Sequence, residues 1–164
     1  MIPMLMAWAV SLGGHVALPN VLHVAWREAA PYPHILNGGM VGKTDGWVVY
    51  ACGFGRRATG VEKVDGYTRH TMGYEVARNR WRRLPDFPGA ARAYGTASGL
   101  YGNGWVYVLG GQSYTEPFVY RNGWRISRRE DTWSWQRLPD MPHATAEFGA
   151  CPLGDKIYLQ GGAF

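Results

Sequence analysis

Trp81-Arg-Arg-Leu-Pro-Asp-Phe-Pro88 decides the reading, because it returns 54 residues later as Trp135-Gln-Arg-Leu-Pro-Asp-Met-Pro142. A looser copy, Trp26-Arg-Glu-Ala-Ala-Pro-Tyr-Pro33, stands 55 residues before it. A second marker keeps the same beat. Trp47-Val-Val-Tyr-Ala-Cys-Gly53, Trp105-Val-Tyr-Val-Leu-Gly-Gly111 and Lys156-Ile-Tyr-Leu-Gln-Gly-Gly162 are apolar runs that close on glycine, their last glycines 58 and 51 residues apart. Two independent markers at one period define a repeat, and a period of roughly fifty residues belongs to stacked or radial units.

Each unit reads as four short strands. A small-residue segment such as Ala93 to Ser98 comes first, then the apolar run, a buried strand closed by its glycines. A third strand is clearest at Met72-Gly-Tyr-Glu-Val76, and Val119-Tyr120 is the candidate in the second unit. Arg78-Asn79 turns the chain into a Trp-led fourth strand, which the proline segment stops because proline cannot serve an interior ladder. No window carries a 3.6-residue apolar stripe, so essentially no helix is expected. Composition agrees. Glycine is 23 of 164 residues and aromatics are 14%, which favours short strands joined by tight turns. The chain is long enough for a real core, and its 18% charged residues exclude a disordered class.

These residues resemble kelch repeats. The family's marks are a glycine doublet closing the second strand, a tyrosine in the third and a tryptophan in the fourth. Gly110-Gly111, Gly161-Gly162, Tyr74, Trp81 and Trp135 match, whereas Cys52 replaces one glycine of the first doublet. The resemblance implies an all-β, kelch-type β-propeller fragment with blades of four antiparallel strands in an incomplete ring. Blades are expected at residues 37–88 and 89–142, with the start of a truncated blade at 143–164. A Trp26 segment within 19–36 is expected as the closing outer strand. Propellers close with roughly four to eight blades. The expectation is therefore a truncated product that self-associates. More loosely, the arrangement is similar to bacterial secreted propellers of the sialic-acid mutarotase and galactose-oxidase-like kinds.

Residues 1–18 contain eleven uncharged residues, Ile2 to Leu12, too short to span a bilayer. They read either as a signal peptide, which makes the protein secreted or periplasmic, or as an N-terminal strand of a cytoplasmic one.

Several motifs look chemical and have plainer readings. Gly53-Phe-Gly55-Arg-Arg-Ala58 fits a dinucleotide fingerprint, but Gly60 and Gly66 forbid the helix it requires. Gly38-Gly-Met-Val-Gly42-Lys43-Thr44 lacks the first glycine of a phosphate loop and runs into a strand. His15, His23, His34, His70 and His143 have no ligand spacing, so neither metal nor cofactor is expected. His34 and His143 read as exposed turn residues. Cys52 and Cys151, on strands of different units, are not expected to bridge. Fourteen of the 17 basic residues are arginine, clustered at 78–83 and 121–129. Those clusters read as a solvated rim rather than a nucleic-acid surface.

In kelch-like blades the loop after the second strand and the loop into the first open on one face. That face would carry Arg56, Arg57, Gln112 and Tyr114, with Asn37, Arg92 and Glu147 at the starts of inner strands. The reading is a small acidic or carbohydrate ligand bound there, with Glu147 moving a proton and Arg92 holding a carboxylate, as in a sugar mutarotase or epimerase. Whether the protein is an enzyme stays open. The alternatives are a protein-interaction kelch module and a galactose-oxidase-like copper oxidase, whose cysteine-linked tyrosine and histidine set has no counterpart in this sequence.

Overall fold

Trp47, Val49 and Ala51 are buried while Val48 and Tyr50 between them are only half-buried, the period-two pattern of a strand inside a sheet. The structure, a computed structural model, describes residues 25–55, 66–99 and 103–163. Its strands in chain order are β1 (Met40–Thr44), β2 (Trp47–Ala51), β3 (Phe54–Gly55), β4 (Gly66–Tyr67), β5 (Thr71–Glu75) and β6 (Arg80–Arg83). They continue with β7 (Thr96–Gly99), β8 (Trp105–Leu109), β9 (Gly123–Arg129), β10 (Thr132–Arg137), β11 (Ala146–Leu153) and β12 (Lys156–Ala163). A 3-10 turn at Val76–Arg78 is the sole helical element among the described residues.

The fold is all-β and antiparallel. One four-stranded sheet runs β1-β2-β5-β6 and a second runs β7-β8-β9-β10, while β11 and β12 pair as a third sheet and β3 and β4 form a small ribbon. None of these sheets is closed. β1 packs against β7, and β7 against β11, so the first strands of successive units line up side by side. A Cβ on Gly99 would stand 1.8 Å from the Lys43 carbonyl oxygen, so this approach tolerates only glycine. Between the two large sheets Met40, Val49, Ala51, Cys52, Leu84, Phe87, Val106, Val108 and Ile126 form one core.

The tryptophan marker has a structural meaning. The Trp81 indole N–H donates to the Ala30 carbonyl at 2.9 Å, and the Trp135 indole N–H to the Pro85 carbonyl at 2.9 Å. Each ring meets an aromatic edge-on, Tyr32 at 4.8 Å for Trp81 and Phe87 at 5.3 Å for Trp135. Ala30 and Pro85, and likewise Tyr32 and Phe87, are 55 residues apart. The segment entering each blade therefore docks on that blade's last strand by the same two contacts. Arg83 pairs with Asp86 at 2.7 Å and Arg137 with Asp140 at 2.8 Å, so the Arg-Leu-Pro-Asp turn also repeats.

Three local expectations are corrected. The third strand of the second unit is β9, not Val119-Tyr120. Val119 makes an isolated bridge to Gln112, while Arg125, Arg128 and Arg129 obscure the buried Gly123, Ile126 and Ser127 of the true strand. Residues 25–36 contain no strand, and Trp26 is 92% exposed, because no sheet edge among the described residues receives it. His34 is buried rather than exposed, 5.5 Å from the His70 ring and 5.6 Å from Tyr32. His143 is exposed, and Cys52 and Cys151 are both free thiols. The N-terminal segment of residues 1–18 lies outside the described residues.

Candidate functional site

The glycine doublets bend the chain and so create the site. Cys52, Gly110 and Gly161 have φ of 63°, 60° and 76°, and the next glycines 121°, 102° and 108°. After this left-handed kink the chain turns back on its own blade. Phe54 exchanges backbone bonds of 2.8 and 2.9 Å with Asn37, and Gln112 exchanges bonds of 2.8 and 3.0 Å with Ala93. The second glycine of each doublet reaches the next unit, Gly53 N–H to the Arg92 carbonyl and Gly111 N–H to the Thr145 carbonyl, both at 2.9 Å.

One residue further in, a ladder crosses the units. Tyr94 N–H donates to the Gly38 carbonyl at 2.7 Å, and Glu147 N–H donates to the Tyr94 carbonyl at 2.6 Å. Gly38, Tyr94 and Glu147 hold φ of 60°, 58° and 57°, one conformation at one register position. Glycine adopts it freely; for tyrosine and glutamate it costs about 1–2 kcal/mol each.

Side chains gather above this ladder. The Tyr94 hydroxyl donates to Asn37 Oδ1 at 3.2 Å. Phe54 lies beside Tyr67 with ring centroids 5.0 Å apart, and Tyr114 from the second unit meets Tyr67 at 4.9 Å and Phe54 at 5.8 Å. Burial pushes the Tyr67 hydroxyl pKa up, and the neighbouring Tyr114 and Tyr94 hydroxyls push it further. Tyr114 is 71% exposed, Asn37 and Glu147 are exposed, and Gln112 is half-buried.

Arg92 belongs elsewhere. It is 1% exposed, wedged between the Tyr120 ring at 3.8 Å and the Phe87 ring at 4.9 Å. Its Nε donates to the Ala90 carbonyl at 3.0 Å, and Nη1 to the Gly110 carbonyl at 3.1 Å and Asn122 Oδ1 at 2.7 Å. Burial pulls its pKa down from the ordinary arginine range, with smaller opposing effects from Cys52 and Tyr120. Arg92 and Glu147 therefore do not share an open surface, because the arginine closes the joint between units. Arg56 and Arg57 lie outside the described residues.

Phe54, Tyr67 and Tyr94 were not singled out from sequence. A signal existed for two of them. Phe54 follows its doublet at the offset of Gln112, and Tyr94 precedes its unit's apolar run where Glu147 does in the next.

On the rim the arginines are largely matched in place. Arg78 and Arg80 bind Glu75, Arg121 and Arg137 bind Asp140, and Arg128 binds Asp131. Among the described residues no three of His, Cys, Asp and Glu come together as metal ligands. No helix among them is long and apolar enough to cross a membrane. A cleft of about 520 Å³ opens at the opposite end of the blades, where Lys43 and Asp45 stand beside Trp47, Val48 and Val76.

No family model matches the chain. A stretch of 57 residues, 35% of the chain, is 39% identical to Kelch repeat and BTB domain-containing protein 2 of Ectromelia virus (strain Moscow) and spans 10% of that protein. The solved structure of YjhT superposes with a TM-score of 0.61 at 21% identity, covering 82% of this chain and 36% of YjhT. At that identity the likeness speaks for the fold, and the chain spans little more than a third of the structure it resembles. With sequence period, backbone register and structural likeness in agreement, the chain is made of kelch-like β-propeller blades, two with all four strands and a third with two among the described residues.

Proposed function

We propose that the face carrying Asn37, Tyr94 and Glu147 binds a small carbohydrate. One observation carries this reading: Tyr94 and Glu147 hold a left-handed backbone at the register position where the first unit has glycine. Backbone strain that a single substitution would relieve gathers where a side chain is needed for function. The side chains so placed suit hydroxyl groups. An amide, a phenol and a carboxylate donate and accept hydrogen bonds in every combination a sugar ring offers. A proton relay at a sugar's anomeric carbon needs one acid/base group, and Glu147 is the candidate on this face. Since Arg92 is buried, the carboxylate of an acidic sugar would fall to Arg56 or Arg57, which directly follow Gly55 in sequence.

The test is calorimetric titration of the chain with galactose and with sialic acid, comparing the parent with Glu147→Gln and Tyr94→Phe. The reading expects saturable binding weakened about tenfold or more by Glu147→Gln, the loss of roughly one charge-assisted hydrogen bond. Binding to neither sugar by a sample with an intact β circular dichroism spectrum rejects it.

A second reading, a protein-interaction module, is favoured by the local identity to a kelch repeat and BTB domain-containing protein and by exposed Tyr114 and Phe118 on one loop. It expects no response to either sugar and no effect of Glu147→Gln on stability beyond the relief of local charge.

A further inference from the structure

We infer that the ligand of this face is an oligosaccharide of at least two pyranose units, with Phe54, Tyr67 and Tyr114 forming a stacking platform for the unit farther from Glu147. The inference rests on the carbohydrate reading above and extends it to a chain length.

Geometry is the first argument. Glu147, Tyr94 and Gly38 are joined by consecutive backbone hydrogen bonds across three neighbouring inner segments. Hydrogen-bonded strands lie about 4.8 Å apart, so Glu147 is roughly two such spacings from the first unit. The aromatic trio lies beyond that, on the Asn37 side, because Phe54 is the backbone partner of Asn37. A ligand touching both Glu147 and Tyr114 must exceed one sugar ring.

Chemistry is the second. The trio joins loops of two different units: Phe54 and Tyr67 flank the β3–β4 ribbon, whereas Tyr114 follows the second unit's doublet. None of the three belongs to the core, and Tyr114 keeps 71% of its surface in solvent. A pyranose presents one face of C–H groups and a rim of hydroxyls. The C–H face matches an aromatic surface, and the hydroxyls match phenol oxygens at its edge. The Tyr67, Tyr114 and Tyr94 hydroxyls are near enough to shift one another's ionisation, which places polar edges next to the rings. No arginine or lysine among the described residues contacts the trio, so the platform suits a neutral sugar unit.

The test titrates the full chain with galactose, β-1,4-galactobiose and β-1,4-galactotriose, and with glucose, cellobiose and cellotriose. It uses calorimetry together with saturation-transfer NMR on the sugar protons. The expected result is a gain of about tenfold in affinity from monosaccharide to disaccharide in at least one series, one stacking contact's worth. Saturation should reach protons of both rings. Tyr114→Ala should erase the gain and leave monosaccharide affinity unchanged, whereas Tyr114→Phe should keep it. Because Tyr114 is so exposed, both variants should retain the parent's circular dichroism spectrum. Equal affinity for all lengths, or a gain untouched by Tyr114→Ala, overturns this inference while leaving the carbohydrate reading in place. No binding of any sugar in the set, sialic acid included, overturns both.

Discussion

The Arg92 guanidinium lies 3.8 Å from the centre of the Tyr120 ring, a cation laid flat on an aromatic face inside the joint between two units. Its hydrogen bonds reach Gly110, at the doublet of its own unit, and Asn122, the residue before β9. No carboxylate among the described residues pairs with it. The charge is held by ring faces and amide oxygens, which fix its direction more tightly than a mobile ion pair would. Arg92→Ala should cost about 3 kcal/mol or more, since charged hydrogen bonds and a desolvated cation–π contact go together. Arg92→Lys should recover little, because an ammonium cannot lie flat between Phe87 and Tyr120 and reach both acceptors. Urea denaturation midpoints measure both changes.

Trp81 and Trp135 should respond alike. Replacing either by phenylalanine keeps an aromatic ring but removes the indole N–H, leaving the Ala30 or Pro85 carbonyl without its donor. The expected cost is about 1 kcal/mol for each. Alanine at either position should cost about 3 kcal/mol, towards the lower end for large aromatic residues because both rings are only partly buried. Clearly unequal values for the two sites would break the repeat register.

The two cysteines should separate by reactivity. Burial pushes the Cys52 thiol pKa up to about 12, against a smaller lowering by Arg92, whereas Cys151 is exposed. Ellman's reagent at pH 8 should count one thiol in the folded chain and two in guanidinium chloride. The raised pKa also makes a stability statement. A thiol that holds its proton more firmly when folded contributes stability that is whole below its unfolded pKa and fades as pH climbs towards the folded value. Alkaline destabilisation should therefore include a Cys52 component between about pH 9 and pH 12. Cys52→Gly, the residue found at the equivalent Gly110 and Gly161, should remove that component.

Glu147→Gly should stabilise the chain and weaken sugar binding together. Glycine releases a left-handed strain of about 1–2 kcal/mol but brings its own chain-entropy cost of about 0.5–1 kcal/mol, so the net gain is about 0.5–1 kcal/mol. Glu147 is exposed, so little packing is lost. Thermal denaturation beside galactose titration reads both effects. A variant that loses stability would contradict the strain argument.

What sequence made legible follows from how each feature is encoded. The four-stranded sheets could be read because their tryptophans, prolines and glycines recur as identical residues at fixed spacing. Each is demanded by something only that residue supplies: an indole donor, a chain stop, a left-handed backbone. The inner ladder is built from backbone N–H and carbonyl groups, so its side chains were free to differ, and glycine, tyrosine and glutamate at one position leave no repeated letter. Asn37, Gln112, Tyr114 and Glu147 could be placed by offset from the doublets, as surface positions of the loops. Arg92 could not be placed that way. Offset locates its backbone correctly at the start of an inner segment, but the direction of its side chain is set by Phe87 and Tyr120, brought from elsewhere by packing. β9 was hidden for a related reason, since charge on its outer face outweighs the small buried Gly123 and Ser127 in any count of apolar residues.

The inner ladder also gives the molecule an arrow. At every crossing the N–H belongs to the later unit and the carbonyl to the earlier one: Tyr94 to Gly38, then Glu147 to Tyr94. The doublet glycines run the opposite way, with Gly53 and Gly111 donating forward to Arg92 and Thr145. Each joint thus has two unlike halves and can mate only head to tail, so units add in one sense around the axis and a reversed unit finds donor facing donor. Relocating the chain ends to a boundary between units would keep every one of these bonds, whereas inverting a single unit would forfeit them on both its flanks.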